Sequence, residues 1–252
     1  EEVVGSDVLV EVLVEIAGSE GGGHRFGADL VAPQHRSGSL GGVEHRQVIG
    51  IAGDCHEGNH AEKLPVFIDE LMRDEPNSLD AVAVSQGPGS YTGLRIGTAT
   101  AKGVCYGLNI PLIAIDTLQI MVSAALNKHN IEADLLCPMI DARRMEVYCA
   151  LYNQQLKRQT EITAEIITAD SFAPQLENNK ICFFGNGADK CKHVITSENA
   201  IFIDGITPDA QYMCNLAQEA FINRQLADTA YFDPFYLKEY QAIVSKNKII
   251  NL

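Results

Sequence analysis

The sequence predicts an α/β fold with parallel strands in its first half and a differently patterned second half. Three observations predict it. From Leu79 onward, short apolar runs alternate with helical periods in the order strand, helix, strand, helix. Past residue 134 the pattern changes to two apolar runs joined by a short polar turn. At 252 residues, 46% hydrophobic and 21% charged, the chain has the composition of a globular protein and room for one large or two small domains.

The elements follow in order. Residues 8–16 (VLVEVLVEI) partly alternate apolar with acidic side chains, and residues 47–52 (QVIGIA) are apolar; both predict strands. The interval between them is rich in Gly, His and Arg with no period, which predicts loop. His24, His35, His45, His56 and His60 have spacings that match no ligand pattern, so they are expected to be scattered histidines and no metal is expected. Asn59 suits a helix cap. Leu64, Phe67, Ile68, Leu71 and Met72 then recur at helical spacing, with Pro65 in the first turn or at a kink.

Residues 79–85 (LDAVAVS) predict a buried strand, residues 92–108 a helix, 110–115 (IPLIAI) a strand and 117–126 a helix. Residues 135–140 and 145–152 predict two strands joined by the turn Asp141-Ala-Arg-Arg144. A strand at 181–184 leads into Gly185-Asn-Gly187, and a helix around 209–223 precedes the tail DPFYLKEY, residues 233–240. The first βα unit closes near Gly107 and Leu108. That is the best boundary in the chain, and the expected division is residues 1–108, with the helix near 209–223 packing back on them, and residues 109–252.

The stretch SQGPGSYTGLRIGTATAKG, residues 85–103, carries a glycine turn of the kind that often holds phosphates. A P-loop requires G-x-x-x-x-G-K-[ST], and here Leu94 and Arg95 follow Gly93. A dinucleotide turn requires G-x-G-x-x-G, and Gly87, Gly89 and Gly93 are one residue too widely spaced. Packing explains the small residues better. Ser90 is placed to cap the helix. Gly93, Gly97, Ala101 and Cys105 recur every four residues, and Ala99, Gly103 and Gly107 form a second row. Each helical glycine costs about 0.5–1 kcal/mol relative to alanine, so a run of them implies close neighbours. Two rows allow two: the chain's own sheet, and a helix of this chain or of a partner.

The net charge of −14 disfavours direct binding to a nucleic-acid backbone. The seven cysteines form no C-x-x-C pair and are expected to be reduced structural thiols of a cytoplasmic protein. No apolar run reaches the roughly 18 residues of a membrane span, and no signal-peptide pattern opens the chain. Asp141, Arg143, Arg144 and Glu146 form a charged cluster, best read as a solvated turn held by ion pairs worth about 0–1 kcal/mol each.

The segments HAEKLPVFIDELM, LDAVAVSQGPGSYTGLRIGTATAKGVCYGLNIPLIAIDTL, PMIDARRMEVYCALY and FFGNGADK together resemble the TsaB (YeaZ) family, from about His60 to Tyr240. The resemblance implies the actin-like ATPase fold, two lobes each built on a ribonuclease-H-like sheet. It also implies a non-catalytic subunit that pairs with the catalytic paralogue TsaD and works with the ATPase TsaE. The complex transfers a threonylcarbamoyl group to the adenosine beside the anticodon of tRNAs reading codons that begin with A. In the family the pairing surface is formed by the first two helices, which here puts His60, Leu64, Phe67, Ile68, Leu71, Gly93, Gly97, Thr100, Ala101 and Gly103 on the interface. A homodimer is expected when the chain is alone, with tRNA reached only through the complex and no cofactor. The paralogue's metal-binding H-x-x-x-H pair falls on Thr117 and Met121, neither a suitable ligand for iron or zinc. Asp141, Arg143, Arg144, Gly185 and Gly187 stand where active relatives grip a nucleotide, a vestigial site at most. A metallopeptidase or a freestanding ATPase of the same fold are the alternative functions.

The opening departs from the family. Members begin with a strand bearing an acid and a threonine and reach the first helix after roughly thirty-five residues. Here Glu15-Ile16-Ala17 is the nearest echo, and the helix begins near residue 60. Residues 1–58 are still expected to take the place of the family's three-stranded opening meander, because an uncovered strand at 79–85 would be an aggregation-prone edge.

Overall fold

A computed structural model describes residues 11–16, 47–52, 64–66, 68–69, 72 and 79–238. Two mixed sheets organise them. The first has the order β2-β1-β3-β4, with β1 at Glu11–Ile16, β2 at Gln47–Ala52, β3 at Leu79–Gly87 and β4 at Leu112–Asp116. The second has the order β7-β6-β5-β8-β9, with β5 at Leu135–Asp141, β6 at Glu146–Cys149, β7 at Thr163–Ile166, β8 at Ile181–Phe184 and β9 at Ala200–Ile203. The helices are α1 (Tyr91–Leu108), α2 (Thr117–Lys128), the single turn α3 (Ala173–Leu176) and α4 (Cys214–Ile222).

Both strands expected in the opening segment lie in the first sheet. β1 pairs antiparallel with β2 on one side and with β3 on the other, so β3 is not an edge. A third strand of the meander, residues 8–10 of the first expected strand, and the five scattered histidines lie outside the described residues. The two sheets are not copies. In the second, β5 runs parallel to β8, whereas β1 runs antiparallel to β3.

The first sheet extends beyond the expected boundary at Leu108, because β4 pairs in parallel with β3 from Leu112 to Asp116. One face of this sheet packs Val82, Val84 and Leu112 against α1 and against Leu64 and Ile68 of the first helical segment. The other face packs Ala81, Ala83, Ile113 and Ile115 against Ile120 of α2 and against Leu216, Ala217 and Ala220 of α4. Helix α2 serves both lobes. Its Ile120 belongs to the first core, while Leu118, Met121, Val122 and Ala125 join Leu136, Tyr152 and Phe184 in the second. A helix apolar on all sides must be buried on all sides. Six cysteines are free and buried, and burial pushes Cys105 and Cys191 up to about 11 and Cys182 up to about 12. Such thiols are unreactive at neutral pH. Cys55 lies outside the described residues.

Two small strands escape the sequence patterns. β7 (TAEI) is half exposed with no clean alternation, and β9 (AIFI) is four half-buried residues at the far edge of its sheet.

The small-residue rows of α1 divide cleanly. Gly93, Gly97, Ala101 and Cys105 are buried, with Ala101 and Cys105 in the cluster that holds Leu64, Ile68, Val82 and Leu112. Ala99, Gly103 and Gly107 are exposed. Gly93, Gly97 and Ala101, expected on the partner face, are buried in the isolated chain, and Ala101 packs in its own core. Leu64 (3% exposed) and Ile68 (7% exposed), expected on the same face, are buried in that core as well. His60, Phe67 and Leu71 lie outside the described residues.

This division gives a stability test. Ala101→Leu should destabilise the chain by about 1–3 kcal/mol through overpacking. Ala99→Leu, on the open face, should stay within about 0.5 kcal/mol of the parent. Urea unfolding of both variants checks this, and equal losses would refute the assignment of the rows.

Candidate functional site

The glycine turn between β3 and α1 is engaged by the chain itself. Ser90 Oγ accepts from the Gly93 N–H at 3.3 Å, capping α1. Gly87, at φ +110°, donates its N–H to Thr117 Oγ1 at 3.1 Å, and that hydroxyl bonds Ser85 Oγ at 2.6 Å. A Cβ on Gly87 would stand 2.8 Å from the Phe235 carbonyl oxygen. The turn therefore packs against protein where a phosphate loop would face a ligand.

Asp116 ends β4 and caps α2, its Oδ1 accepting from the Leu118 N–H at 2.8 Å. Its other oxygen accepts from Tyr152 Oη at 2.8 Å and faces Arg158 Nη1 at 3.4 Å. Burial raises the Asp116 carboxyl above its usual range, opposed by the Tyr152 hydroxyl, the Leu118 amide and the Arg158 charge. Burial likewise pushes the Tyr152 phenol up. These groups sit at one wall of a cleft of about 590 Å³ that Gln86, Gln119 and Thr160 also line. Each of the polar groups Asp116, Tyr152, Gln119 and Thr160 already has a partner within the chain.

The two positions that match the paralogue's histidine pair hold no ligand-like group. Thr117 Oγ1 is committed to Ser85 and Gly87. Met121 is fully buried, and its Cε would lie 2.4 Å from a Cβ placed on Gly185. Among the described residues, no three His, Cys, Asp or Glu side chains are grouped to hold a metal ion.

The structure brings together Asp141, Gly185 and Gly187. Gly185 has φ +103°, and a side chain on Gly187 would strike the Ile140 carbonyl carbon at 2.9 Å and the Asp141 nitrogen at 3.0 Å. The loop after β8 thus lies against the end of β5, where Asn186 Oδ1 accepts from the Asp141 N–H at 2.9 Å. Lys190 fills the remaining space. Its ammonium donates to Asp141 Oδ1 at 2.5 Å, the Arg144 carbonyl at 2.6 Å and the Glu146 carbonyl at 2.8 Å. Arg143 and Arg144 are exposed at the hairpin tip, with φ +74° and +53°. The turn is a closed, self-satisfied unit rather than an open cradle for phosphates.

Sequence reasoning missed Lys190, Tyr152 and Arg158. Tyr152 had a usable signal, since a phenol at the end of an apolar strand needs a buried partner. Lys190 had none, because its partners lie more than forty residues away.

Two lobes on mixed sheets, joined by a shared buried helix, define the actin-like ATPase fold. The comparisons place the chain within it. A family model described as TsaD, tRNA N6-adenosine threonylcarbamoyltransferase, matches residues 42–243. The chain is 30% identical to the tRNA threonylcarbamoyladenosine biosynthesis protein TsaB of Bacillus subtilis, over 73% of this chain and 82% of that protein. It is 28% identical to the protein of the same name in Haemophilus influenzae, over 71% of this chain and 80% of that one. YeaZ from Pseudomonas aeruginosa superposes with a TM-score of 0.61 at 22% identity, covering 76% of this chain and 90% of that one. The chain belongs to the TsaD-type family, and within it to the TsaB (YeaZ) branch.

Asp116 yields a pH test. The folded chain holds the Asp116 proton more tightly than the unfolded chain. The wild type should therefore gain stability relative to Asp116→Asn as pH falls through the raised value toward the ordinary carboxylate value of about 3.9, and should carry the full burial cost above it. Denaturation at a series of pH values checks the sign. A wild-type advantage that grows instead with rising pH would contradict it.

Proposed function

We propose that this chain is the non-catalytic partner of a TsaD-like catalytic subunit in the synthesis of threonylcarbamoyladenosine on tRNA. One observation carries the reading: α1 exposes a second row of small residues, Ala99, Gly103 and Gly107, on its outer face. A Cβ at Gly103 or Gly107 would meet nothing within 4 Å, and Tyr106 beside them is 87% exposed. A helix smooth on both sides suits close approach by one sheet inside and one helix outside. Thr100 lies at the border of this face. The interface therefore uses Ala99, Thr100, Gly103, Tyr106 and Gly107, and not the inner row.

Several features support a role without chemistry. Thr117 and Met121 replace a ligand pair, the glycine turn is filled by the chain, and Lys190 occupies the hairpin. The negative charge leaves tRNA to the other subunits. A TsaE-like ATPase acts on the pair, the location is cytoplasmic, and the outer face of α1 pairs with a second copy when no partner is present. No described helix is long and apolar enough to cross a membrane.

The test is Gly103→Leu in the full chain. Its melting temperature should match or exceed that of the parent, because a helical glycine is removed. Its affinity for the catalytic subunit should fall about tenfold or more, as expected for about 1–3 kcal/mol of overpacking at a close helix contact. Threonylcarbamoyl transfer in a reconstituted system should fall in parallel. Unchanged affinity by calorimetry would refute the assignment.

A further inference from the structure

After α4 the chain turns back along the first lobe. The Ala227 N–H donates to the Leu112 carbonyl at 2.8 Å, forming a single antiparallel bridge at the outer edge of β4. Lys102 of α1 donates its ammonium to the carbonyls of Ala230 at 3.1 Å and Phe232 at 2.9 Å. Phe232 packs on the core beneath α1. The Phe235 N–H donates to the Gln86 carbonyl at 2.7 Å, and the Tyr236 ring lies 4.8 Å from that of Tyr91. Within two residues the segment has crossed to the second lobe. Leu237 packs on the cluster of Leu136, Tyr152 and Phe184. The Lys238 ammonium pairs with the Glu146 carboxylate and lies 5.7 Å from the centroid of the Tyr148 ring.

We propose that residues 227–238 are a clasp that fixes the angle between the two lobes, and that the Lys238–Glu146 pair is its closing end. The anchorage is unequal. On the first lobe the segment is held by hydrogen bonds to main-chain carbonyls, by Phe232 in the core and by a ring contact. On the second, among the described residues, it is held by the apolar side chain of Leu237, the Lys238 contact with the Tyr148 ring and an ion pair whose side chains are 36% and 24% exposed. A part-exposed ion pair is the weaker tie and is screened by salt. The second-lobe contacts of residues 237–238 therefore open before the first-lobe contacts.

Opening has a defined consequence. Gln86, whose carbonyl the clasp holds, lines the cleft together with Asp116 from the first lobe and Arg158 and Thr160 from the second. Closing the clasp sets the width of that cleft. The lobes are also tied by α2, which is buried in both cores and serves as the pivot. The clasp thus chooses between a closed and a more open setting about α2.

The experiment measures the distance between spin labels at Ile222→Cys and Ile166→Cys, exposed positions on the first and second lobes, in a full chain with Cys55→Ser. The parent should give one narrow distance. Lys238→Met removes the charge and keeps the aliphatic stem, and Tyr236→Ala removes the ring contact while leaving the ion pair. Both should add a second, longer distance. The Phe235 amide should exchange about tenfold faster in Lys238→Met, as for loss of a charge-assisted contact. Raising salt should shift the parent in the same direction. Either variant keeping the parent's single distance would overturn the proposal.

Discussion

The first lobe depends on how closely α1 can lie against its sheet. Ala101 and Cys105 present little side-chain volume on the buried face, where Val82, Val84 and Leu112 pack together with Leu64 and Ile68. The position of α1 then fixes the glycine turn before it and the exposed row behind it. It also fixes Lys102, which anchors the returning chain at Ala230 and Phe232. Bulk on the inner row would displace the turn, the outer face and the returning segment together.

The second constraint is α2. Its short apolar residues are divided between two cores, and Asp116 caps it at the point where the lobes meet. The carboxylate is costly to bury, and the Tyr152 hydroxyl and Arg158 offset that cost from the second lobe. The cap of one element is therefore also a tie between lobes. The same economy appears at the β5–β6 hairpin, where Lys190 neutralises Asp141 and satisfies two carbonyls at once.

Much of this was legible in the sequence where the pattern was periodic and local. The strand at 79–85, the helix beginning beside Ser90 and the strand at 181–184 all follow from neighbouring residues. The two rows of α1 were also visible, but spacing alone does not say which row faces inward. Hydrophobic partners decide that, and those partners sit on β3 and β4. The resemblance assigned Gly93, Gly97 and Ala101 to a partner, whereas in the isolated chain all three are buried and Ala101 lies in the core. Contacts distant in sequence, such as Lys190 with the hairpin, leave no local trace, and the phenol of Tyr152 signals a buried partner without naming Asp116. Strands β7 and β9 were hidden because edge strands need little apolar alternation.

The central claim is that the outer face of α1 is where the catalytic partner docks. Thiol footprinting tests it most directly. Cysteines placed at 103 and 107 should react with maleimide freely in the dilute isolated chain, because both positions are exposed and an added Cβ would meet no neighbouring element within 4 Å. Addition of the catalytic subunit should slow both by about tenfold or more, as expected for burial in a close helix contact, while a cysteine at the exposed position 161 keeps its rate. Undiminished reactivity at 103 and 107 in a complex shown to have formed would contradict the account.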